Sequence, residues 1–209
     1  MIAILDLRIS NLSSIFNGIY VSGFDPIILD VKKFINDHDK ITHLIIPGVG
    51  NYGQACKKID NIEFRNSLNS FLSKKKPLMG ICLGMQILFE SSDESPGDSG
   101  LGLLKGNIKP LKNIIKLRVP HVGWNNVYVK KDHPLLEKIK QKNYDFYFVH
   151  SYSAVCKDND NILAVTNYEI DFPSIVGKNN IIGFQFHPEK SQTNGLNILE
   201  LFCKWDGQC

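Results

Sequence analysis

The sequence lacks the features of several protein classes. No apolar run in its 209 residues approaches the roughly 20 residues that a membrane-spanning helix needs. The five cysteines form no CxxC pair and no His/Cys cluster with zinc-site spacing, so we expect no metal site. The formal charge of +3 is mild, and Lys74–Lys76 is the one short lysine run. These absences argue against a membrane protein, a zinc domain and a nucleic-acid-binding domain, and they predict a cytoplasmic protein.

The first residues do not have the pattern expected of a secretory leader. Their apolar stretch is only a few residues long before Asp6 and Arg8, with no basic segment ahead of it, so it predicts a buried first strand. The composition, 43% hydrophobic and 22% charged, is that of an ordinary globular protein. The length predicts one domain that covers residues 1–209.

The first half of the chain alternates short apolar runs with helical patterns. We predict strands at Ile2–Leu5, Pro26–Leu29, His43–Ile46 and Leu78–Ile81. We predict helices at Asn11–Val21, in the stretch that runs to Ser73, and at Met85–Ser91. Alternating strands and helices predict parallel β-α-β units, and strands that are apolar on both sides predict a sheet covered on both faces. The expected fold is α/β, a doubly wound and largely parallel sheet flanked by helices.

The second half, from about Gly106, has β-type segments with little helix between them. They are NIKPL, WNNVYVK, FYFVHSYSAV, ILAVTNY, SIVGK and IIGFQF. We predict that they extend the sheet in an antiparallel or mixed manner, and that residues 196–205 form a closing helix.

A candidate nucleophile lies between the fourth strand and its helix, in Gly80-Ile81-Cys82-Leu83-Gly84. This is the G-x-nucleophile-x-G pattern of a nucleophile elbow, with cysteine in place of serine. The glycines are expected to allow a sharp, strained turn, and the helix N-terminus would stabilise a thiolate. The alternative is a buried structural cysteine, which is a common fate of a free Cys. The glycines and the strand-to-helix position favour the nucleophile.

A candidate base follows another strand, in Phe186-His187-Pro188-Glu189. Pro188 disfavours a helical conformation at His187 and keeps that residue extended. Residues i and i+2 of an extended segment share a side, so Glu189 is predicted to lie beside His187 and orient its imidazole. A lone histidine after a strand is more often structural, but the elbow and the glutamate together favour a Cys82, His187, Glu189 triad.

Two backbone segments are candidates for stabilising an oxyanion. One is the N-H of Leu83, which follows the nucleophile, and the other is the loop Pro47–Gly50 after the third strand. The same region, Gly48 to Gly53, matches G-x-G-x-x-G, which leaves a dinucleotide-binding domain as a rival of another class. That fingerprint belongs in the first strand-helix turn, so the match argues only weakly for a nucleotide.

Six segments together carry a family resemblance: PGVGNYG, GICLGMQILFE, GLGLLKGNI, PHVGWN, YFVHSY and GFQFHPEKS. From Ile2 to about Trp205 the chain resembles the class I glutamine amidotransferases. Within them it is similar to the glutaminases that serve a (β/α)8-barrel cyclase in histidine biosynthesis. The resemblance implies that the chain hydrolyses glutamine and passes ammonia to a cyclase that makes imidazole glycerol phosphate and the purine precursor aminoimidazole carboxamide ribonucleotide. It implies a heterodimer without cofactor.

The resemblance also implies roles for individual residues. Cys82 would be the nucleophile, His187 the acid and base, and Glu189 its orienting partner. Residues that would contact glutamine or its oxyanion are Val49, Gly50, Leu83, Gln86, Glu94, His150, Ser151 and Tyr152. Residues that would face the cyclase are Trp124, Asn125, Tyr147 and Lys190. Without the resemblance, Gln86 and Glu94 would be read as solvated residues, and Trp124 and Tyr147 as core aromatics.

One segment departs from the family pattern. Relatives usually carry a Tyr-Gly-x-Gly-Asn type turn after the first strand, whereas this chain has Asp6-Leu7-Arg8-Ile9-Ser10-Asn11. The turn lies near the partner face in the family, so the departure bears on which enzyme accepts the ammonia. A glutaminase that feeds a sugar amidotransferase in surface-glycan synthesis is therefore the alternative.

Three other functions remain as alternatives. A cysteine peptidase or a γ-glutamyl hydrolase shares the elbow and histidine on a similar fold. A catalytically inactive scaffold is disfavoured because all three triad positions are filled.

Overall fold

The computed structural model describes residues 1–9, 11–140 and 144–208. In chain order its strands are β1 (Ile2–Leu5), β2 (Pro26–Leu29), β3 (His43–Gly48), β4 (Leu78–Cys82), β5 (Ser91–Ser92), β6 (Gly106–Pro110), β7 (His121–Val129), β8 (Tyr144–His150), β9 (Tyr152–Cys156), β10 (Ile162–Tyr168), β11 (Ile170–Lys178) and β12 (Ile181–Phe184). The α-helices are α1 (Leu12–Val21), α2 (Val31–Asp37), α3 (Tyr52–Ile59), α4 (Ile62–Ser73), α5 (Leu83–Gln86), α6 (Glu137–Lys140) and α7 (Gln192–Lys204).

The larger sheet has the strand order β2-β1-β3-β4-β12-β11-β10-β7-β8. The five strands β2, β1, β3, β4 and β12 are parallel to one another. The remaining neighbouring pairs, from β12–β11 to β7–β8, are antiparallel. The predicted parallel sheet with an antiparallel extension is therefore confirmed. Strands β1 and β4 are buried along their whole length because apolar clusters lie on both faces of the sheet.

The polar residues between strands set where helices begin. Asp30 accepts a hydrogen bond from the Lys33 N-H at the start of α2, and Asn51 accepts one from Gln54 at the start of α3. Such side chains satisfy backbone N-H groups that lack a partner inside the helix. Among the residues described, no helix is long and apolar enough to cross a membrane.

Three predictions about elements need correction. The helix predicted at Met85–Ser91 is α5, which begins earlier and ends at Gln86, after which the chain turns into β5. The segment FYFVHSYSAV forms two strands, β8 and β9, because the extended structure is interrupted at Ser151. Strand β9 pairs with β6 in a separate sheet of order β5-β6-β9. Strand β3 runs two residues further than predicted and includes Pro47 and Gly48. Within the departing turn at residues 6–11, Ser10 lies outside the described residues.

Candidate active site

The elbow at the end of β4 carries backbone strain on the cysteine itself. Cys82 has φ 52° and ψ −109°. Residues other than glycine rarely adopt a positive φ. The glycines serve close packing, because a Cβ on Gly84 would overlap the Ile46 carbonyl and one on Gly80 would lie 2.6 Å from the Gly84 oxygen. The sharp, strained turn is therefore present, with the positive φ on Cys82 and with the two glycines allowing the close packing around it.

The Cys82 side chain is 7% exposed, and two groups lie close to its sulfur. The Gln185 Nε2 donates to Sγ at 3.7 Å, and Sγ lies 3.9 Å from the Val149 carbonyl oxygen, to which a thiol can donate. The sulfur therefore lies between one donor and one acceptor.

The predicted partner of His187 is in place, but by a different geometry. His187 Nδ1 lies 2.7 Å from Glu189 Oε1, and both side chains are almost fully buried. His187 is extended, with φ −104° and ψ 96°, yet Pro188–Lys190 is a short 3-10 helix. The tight turn brings Glu189 back to His187, so the argument from an extended segment gave the right contact for the wrong reason. No hydrogen-bond partner for His187 Nε2 is found among the described residues.

The electrostatics of this pair favour a charged imidazole. Burial by itself would lower the pKa of His187, but the Cys82 sulfur and the Glu189 carboxylate outweigh it and raise that pKa above its ordinary value. A raised pKa keeps a proton on His187, which is then available to a leaving group.

Strand β8 holds the histidine segment in position. The His187 N-H donates to the Tyr147 carbonyl at 2.9 Å, and the Tyr147 N-H donates to Ser191 Oγ at 3.0 Å. The Ser191 hydroxyl in turn donates to the His187 carbonyl at 2.6 Å. These three bonds close a ring that fixes the backbone of His187 against the sheet.

A cavity of about 490 Å³ opens at Cys82. All eight residues predicted to contact glutamine or its oxyanion line it: Val49, Gly50, Leu83, Gln86, Glu94, His150, Ser151 and Tyr152. Pro120, Val149 and Lys190 complete the lining. Of the cysteines described, Cys82 alone lines this cavity, and burial raises the pKa of the Cys56 and Cys156 thiols to about 11.

Two polar side chains of the cavity are already anchored to the protein. Gln86 Nε2 donates to the Tyr152 carbonyl at 3.3 Å and to Gln185 Oε1 at 3.1 Å. The Glu94 carboxylate accepts from the Asn51 side chain at 3.2 Å and from the Tyr52 N-H at 3.0 Å. Neither is a freely solvated side chain, contrary to the reading made without the resemblance.

The two predicted oxyanion donors differ in availability. The Leu83 N-H opens α5, so it has no acceptor within that helix. The Val49 N-H donates to the Ile9 carbonyl at 3.0 Å. The loop after β3 is thus bound to the turn that departs from the family pattern.

His150 belongs to a buried hydrogen-bond chain. Its Nδ1 lies 2.8 Å from the Tyr152 carbonyl, and its Nε2 lies 3.0 Å from His121 Nδ1. His121 Nε2 is 3.3 Å from Asn125 Nδ2. A carbonyl can only accept, so His150 Nδ1 carries hydrogen, His121 Nδ1 donates to His150, and Asn125 donates to His121. Burial lowers the pKa of His150 to about 3 and that of His121 to about 4. Both rings are therefore neutral at pH 7, which agrees with these hydrogen-bond directions.

Three of the four residues predicted to face a partner lie together. The Trp124 and Tyr147 ring centroids are 6.1 Å apart, and Lys190 Nζ lies 5.8 Å from the Tyr147 ring. Trp124 is 44% exposed. Asn125 is not part of this group, because neighbouring residues of a strand point to opposite faces and its side chain donates to His121 and to the Asn167 carbonyl.

Sequence reasoning missed Gln185 and His121. Gln185 is fully buried against Cys82, and it follows the end of β12, two residues before His187. Its contact with Cys82 joins segments that are 103 positions apart, so no local pattern indicated it. His121 had no local signal, because its partner His150 is 29 residues away.

Curated relatives match the chain over almost its whole length. It is 46% identical to "Imidazole glycerol phosphate synthase subunit HisH" of Pyrococcus furiosus over 96% of this chain and 97% of that protein. It is 43% identical to the protein of the same name from Sulfurimonas denitrificans, over 98% of each chain.

Solved structures share the fold at lower identity. The structure of PurLQS from Thermotoga maritima superposes with a TM-score of 0.73 at 18% identity, covering 97% of this chain and 96% of that one. A crystal structure of a glutamine amidotransferase gives 0.71 at 16% identity, covering 97% and 100%. The sequence profile "Glutamine amidotransferase class-I" matches residues 3–205. The chain belongs to the class I glutamine amidotransferase family.

Proposed function

We propose that this chain is the glutaminase subunit of an imidazole glycerol phosphate synthase and acts through a Cys82, His187, Glu189 triad. The observation that carries the proposal is the strained Cys82 in the lining of a cavity of about 490 Å³, with the buried His187–Glu189 pair next to it. The relatives at 43% and 46% identity over nearly the full length favour the histidine pathway over a glycan pathway. The triad, its cavity and the partner face all belong to one domain, residues 1–209.

The first half of the reaction forms a thioester. The Cys82 thiolate attacks the side-chain carboxamide carbon of glutamine, and the carbonyl oxygen becomes an oxyanion. The oxyanion collapses as the carbon-nitrogen bond breaks, and the His187 imidazolium gives its proton to the departing nitrogen, which leaves as ammonia. The raised pKa of His187 suits this acid role.

The second half releases glutamate. The now neutral His187 accepts a proton from water, whose oxygen attacks the thioester carbon. Collapse of the second oxyanion breaks the carbon-sulfur bond and restores the Cys82 thiolate. Glutamine and water are consumed, and glutamate and ammonia are formed. Glu189 holds the imidazole through Nδ1 in both steps.

Glutamine is held by the cavity wall around Cys82. Glu94 supplies a carboxylate for the α-amino group, and Gly50 lines the same side. Both hydrogens of the Gln86 amide are taken by Tyr152 and Gln185, so Gln86 binds the substrate through its oxygen, as an acceptor. His150, Ser151 and Tyr152 line the same cavity.

The oxyanion is stabilised by the N-H groups of Leu83 and Val49. Since the Val49 N-H donates to Ile9 in this structure, the loop must break that bond before its N-H can reach the substrate. We infer that binding of the synthase partner releases it.

The partner is a (β/α)8-barrel cyclase that docks on the surface formed by Trp124, Tyr147 and Lys190. Large exposed aromatics are favoured anchors of interfaces. Lys190 also lines the cavity at Cys82, so a partner on this surface lies next to the site where ammonia is released.

The test uses the reconstituted complex with the cyclase. Cys82→Ser should abolish synthesis of imidazole glycerol phosphate from glutamine and retain synthesis from ammonium salts. Cys156→Ser is the control, because Cys156 ends β9 and does not line the cavity. Glutamate release by the Cys82→Ser complex at the wild-type rate would overturn the assignment, and a complex that makes no imidazole glycerol phosphate from ammonium would overturn the pathway.

A further inference from the structure

Gln185 is the side chain that contacts the reacting sulfur without a role in the triad. It is fully buried, and its backbone N-H donates to the Ser174 carbonyl at 2.9 Å, which fixes it beside β11. Its Nε2 lies 3.7 Å from Cys82 Sγ, a normal distance for a hydrogen bond to the larger sulfur atom. It donates a side-chain hydrogen bond to this sulfur from outside the proposed triad.

The direction of this hydrogen bond follows from a backbone carbonyl. Tyr152 O can only accept, so the Gln86 atom that faces it at 3.3 Å must be the amide nitrogen. The same nitrogen faces Gln185 at 3.1 Å, and the Gln185 atom there must be the amide oxygen. The other end of the Gln185 amide, which faces Cys82, is therefore its NH2 group. The opposite orientation of the Gln185 amide would place its nitrogen against the Gln86 nitrogen, two donors facing each other.

The donor matters most once the thiol has lost its proton. The neutral thiol can donate to the Val149 carbonyl at 3.9 Å, but a thiolate has no hydrogen to give and faces that carbonyl oxygen as an anion. A hydrogen bond donated to a charged acceptor is about twice as strong as a neutral one. The Gln185 N-H therefore favours the thiolate over the thiol.

We propose that Gln185 is a further catalytic residue, whose side-chain N-H, oriented through Gln86 by the Tyr152 carbonyl, stabilises and positions the Cys82 thiolate. This inference rests on the proposed function in taking Cys82 as the nucleophile. It adds a donor on the sulfur, separate from the backbone donors of the oxyanion and from the His187–Glu189 pair.

Two substitutions separate the donor from simple packing. Gln185→Glu keeps an oxygen to accept from Gln86 and replaces the N-H donor by an oxygen that repels the thiolate. Gln185→Met keeps the length of the side chain and removes both polar ends. Thr166→Val is the control for altering a buried polar side chain, because Thr166 is fully buried, its hydroxyl has no partner among the described residues, and it lies on β10 away from the cavity.

The main measurement is the rate at which iodoacetamide alkylates Cys82 in the full chain as a function of pH, followed by mass spectrometry of the Cys82 peptide. Loss of a hydrogen bond to a charged group should move the midpoint of this profile upward by about one pH unit in Gln185→Met, and further in Gln185→Glu. In the complex with the cyclase, kcat for glutamine should fall roughly tenfold or more while KM changes little. Thr166→Val should leave the midpoint and kcat in place.

The outcomes distinguish this inference from the proposed function. If folded Gln185→Met or Gln185→Glu is alkylated with the wild-type midpoint, or with a lower one, Gln185 does not stabilise the thiolate, and the triad is unaffected. The alkylation profile requires no turnover, so it tests Gln185 even if Cys82→Ser proves to hydrolyse glutamine and the triad itself is wrong. If Gln185→Met does not fold, Gln185→Glu decides the question, because it retains the acceptor for Gln86.

Discussion

The nucleophile side of the cavity, at Cys82 and His187, and the oxyanion side, at the Leu83 and Val49 N-H groups, differ in whether their groups are already positioned for the reaction. On the nucleophile side, Cys82 contacts Gln185, and His187 is bound both to Glu189 and to the β8 backbone. On the oxyanion side, the Leu83 N-H is available, but the Val49 N-H is bound to Ile9. The nucleophile side is therefore already assembled by contacts within the fold. On the oxyanion side, the hydrogen bond to Ile9 keeps the Val49 N-H from the substrate.

The difference has a physical origin in the elements that carry each side. The nucleophile side is built on β4 and β12, which are buried along their whole length and hydrogen-bonded to strands on both sides, and the β8 backbone holds the His187 segment. The oxyanion loop follows β3, and Val49 is exposed. A single hydrogen bond contributes about 1 kcal/mol, an amount that a docking partner can supply. The glutaminase is therefore expected to be limited by its oxyanion side until the partner binds.

The largest expected effect is on the nucleophile side. His187→Asn should lower kcat for glutamate release by roughly 10⁶-fold, since nucleophile and base act as a unit, whereas Glu189→Gln should cost about 10⁴-fold because it removes only the orienting group. Glutamate release by both variants in the complex measures this. Near-normal turnover in His187→Asn would show that this side is not the catalytic one.

A smaller effect is expected on the oxyanion side. The isolated chain should release glutamate slowly, and the cyclase with its acceptor ligand should stimulate it by about 10²- to 10³-fold, which is the usual value of one oxyanion donor. Glutamate release from the chain alone and with the partner checks this. Full activity in the isolated chain, without stimulation, would mean that both sides are already assembled and would favour a free-standing hydrolase.

The partner surface should contribute less than either side of the cavity. Trp124→Ala should weaken binding of the cyclase by about 30-fold and Lys190→Ala by about fivefold, as for a buried aromatic anchor and a rim charge. Isothermal titration of the two subunits measures both. Tyr20→Ala is the matched control, because Tyr20 is exposed near the end of α1 and lies outside the Trp124, Tyr147 and Lys190 surface. Equal affinities in all variants would place the interface elsewhere.

The sequence predicted the nucleophile side better than the oxyanion side, for a physical reason. Cys82 and His187 each have a local signal, since Gly80 and Gly84 bracket the elbow and Glu189 follows the histidine closely. The parallel strands β1 to β4 likewise have apolar runs and turn signals that are read locally. The Glu189 contact was predicted although its 3-10 turn was not.

Contacts between distant segments could not be read in this way. The bond from Val49 to Ile9 joins residues 40 positions apart, and Gln185 meets Cys82 across 103 positions. The division of FYFVHSYSAV into β8 and β9 depends on pairing with β7 and β6, which no local pattern encodes. Asn125 shows the same limit, because its neighbour Trp124 faces the other side of the strand.

The smallest expected effect is on stability, and it concerns three buried histidines, of which His150 lines the cavity and His133 lies away from it. Burial lowers the pKa of His121 and His133 to about 4 and that of His150 to about 3, below the ordinary value of 6.5. The unfolded chain therefore binds more protons than the folded one between about pH 6.5 and pH 4, so the free energy of unfolding should fall as the pH is lowered through this window. His187, whose pKa is raised, acts in the opposite sense, and its gain is complete below about pH 6.5.

His133→Asn isolates one of these histidines away from the cavity. His133 Nδ1 accepts from the Leu135 N-H at 3.2 Å, a cap that asparagine can replace, and its Nε2 has no partner among the residues described. The loss of unfolding free energy between pH 6.5 and pH 5 should be smaller in the variant than in the wild type by roughly 1 to 2 kcal/mol. Urea unfolding at both pH values measures the difference, in which the contribution of His187 cancels. An equal loss in variant and wild type would mean that His133 is not held neutral in the folded state.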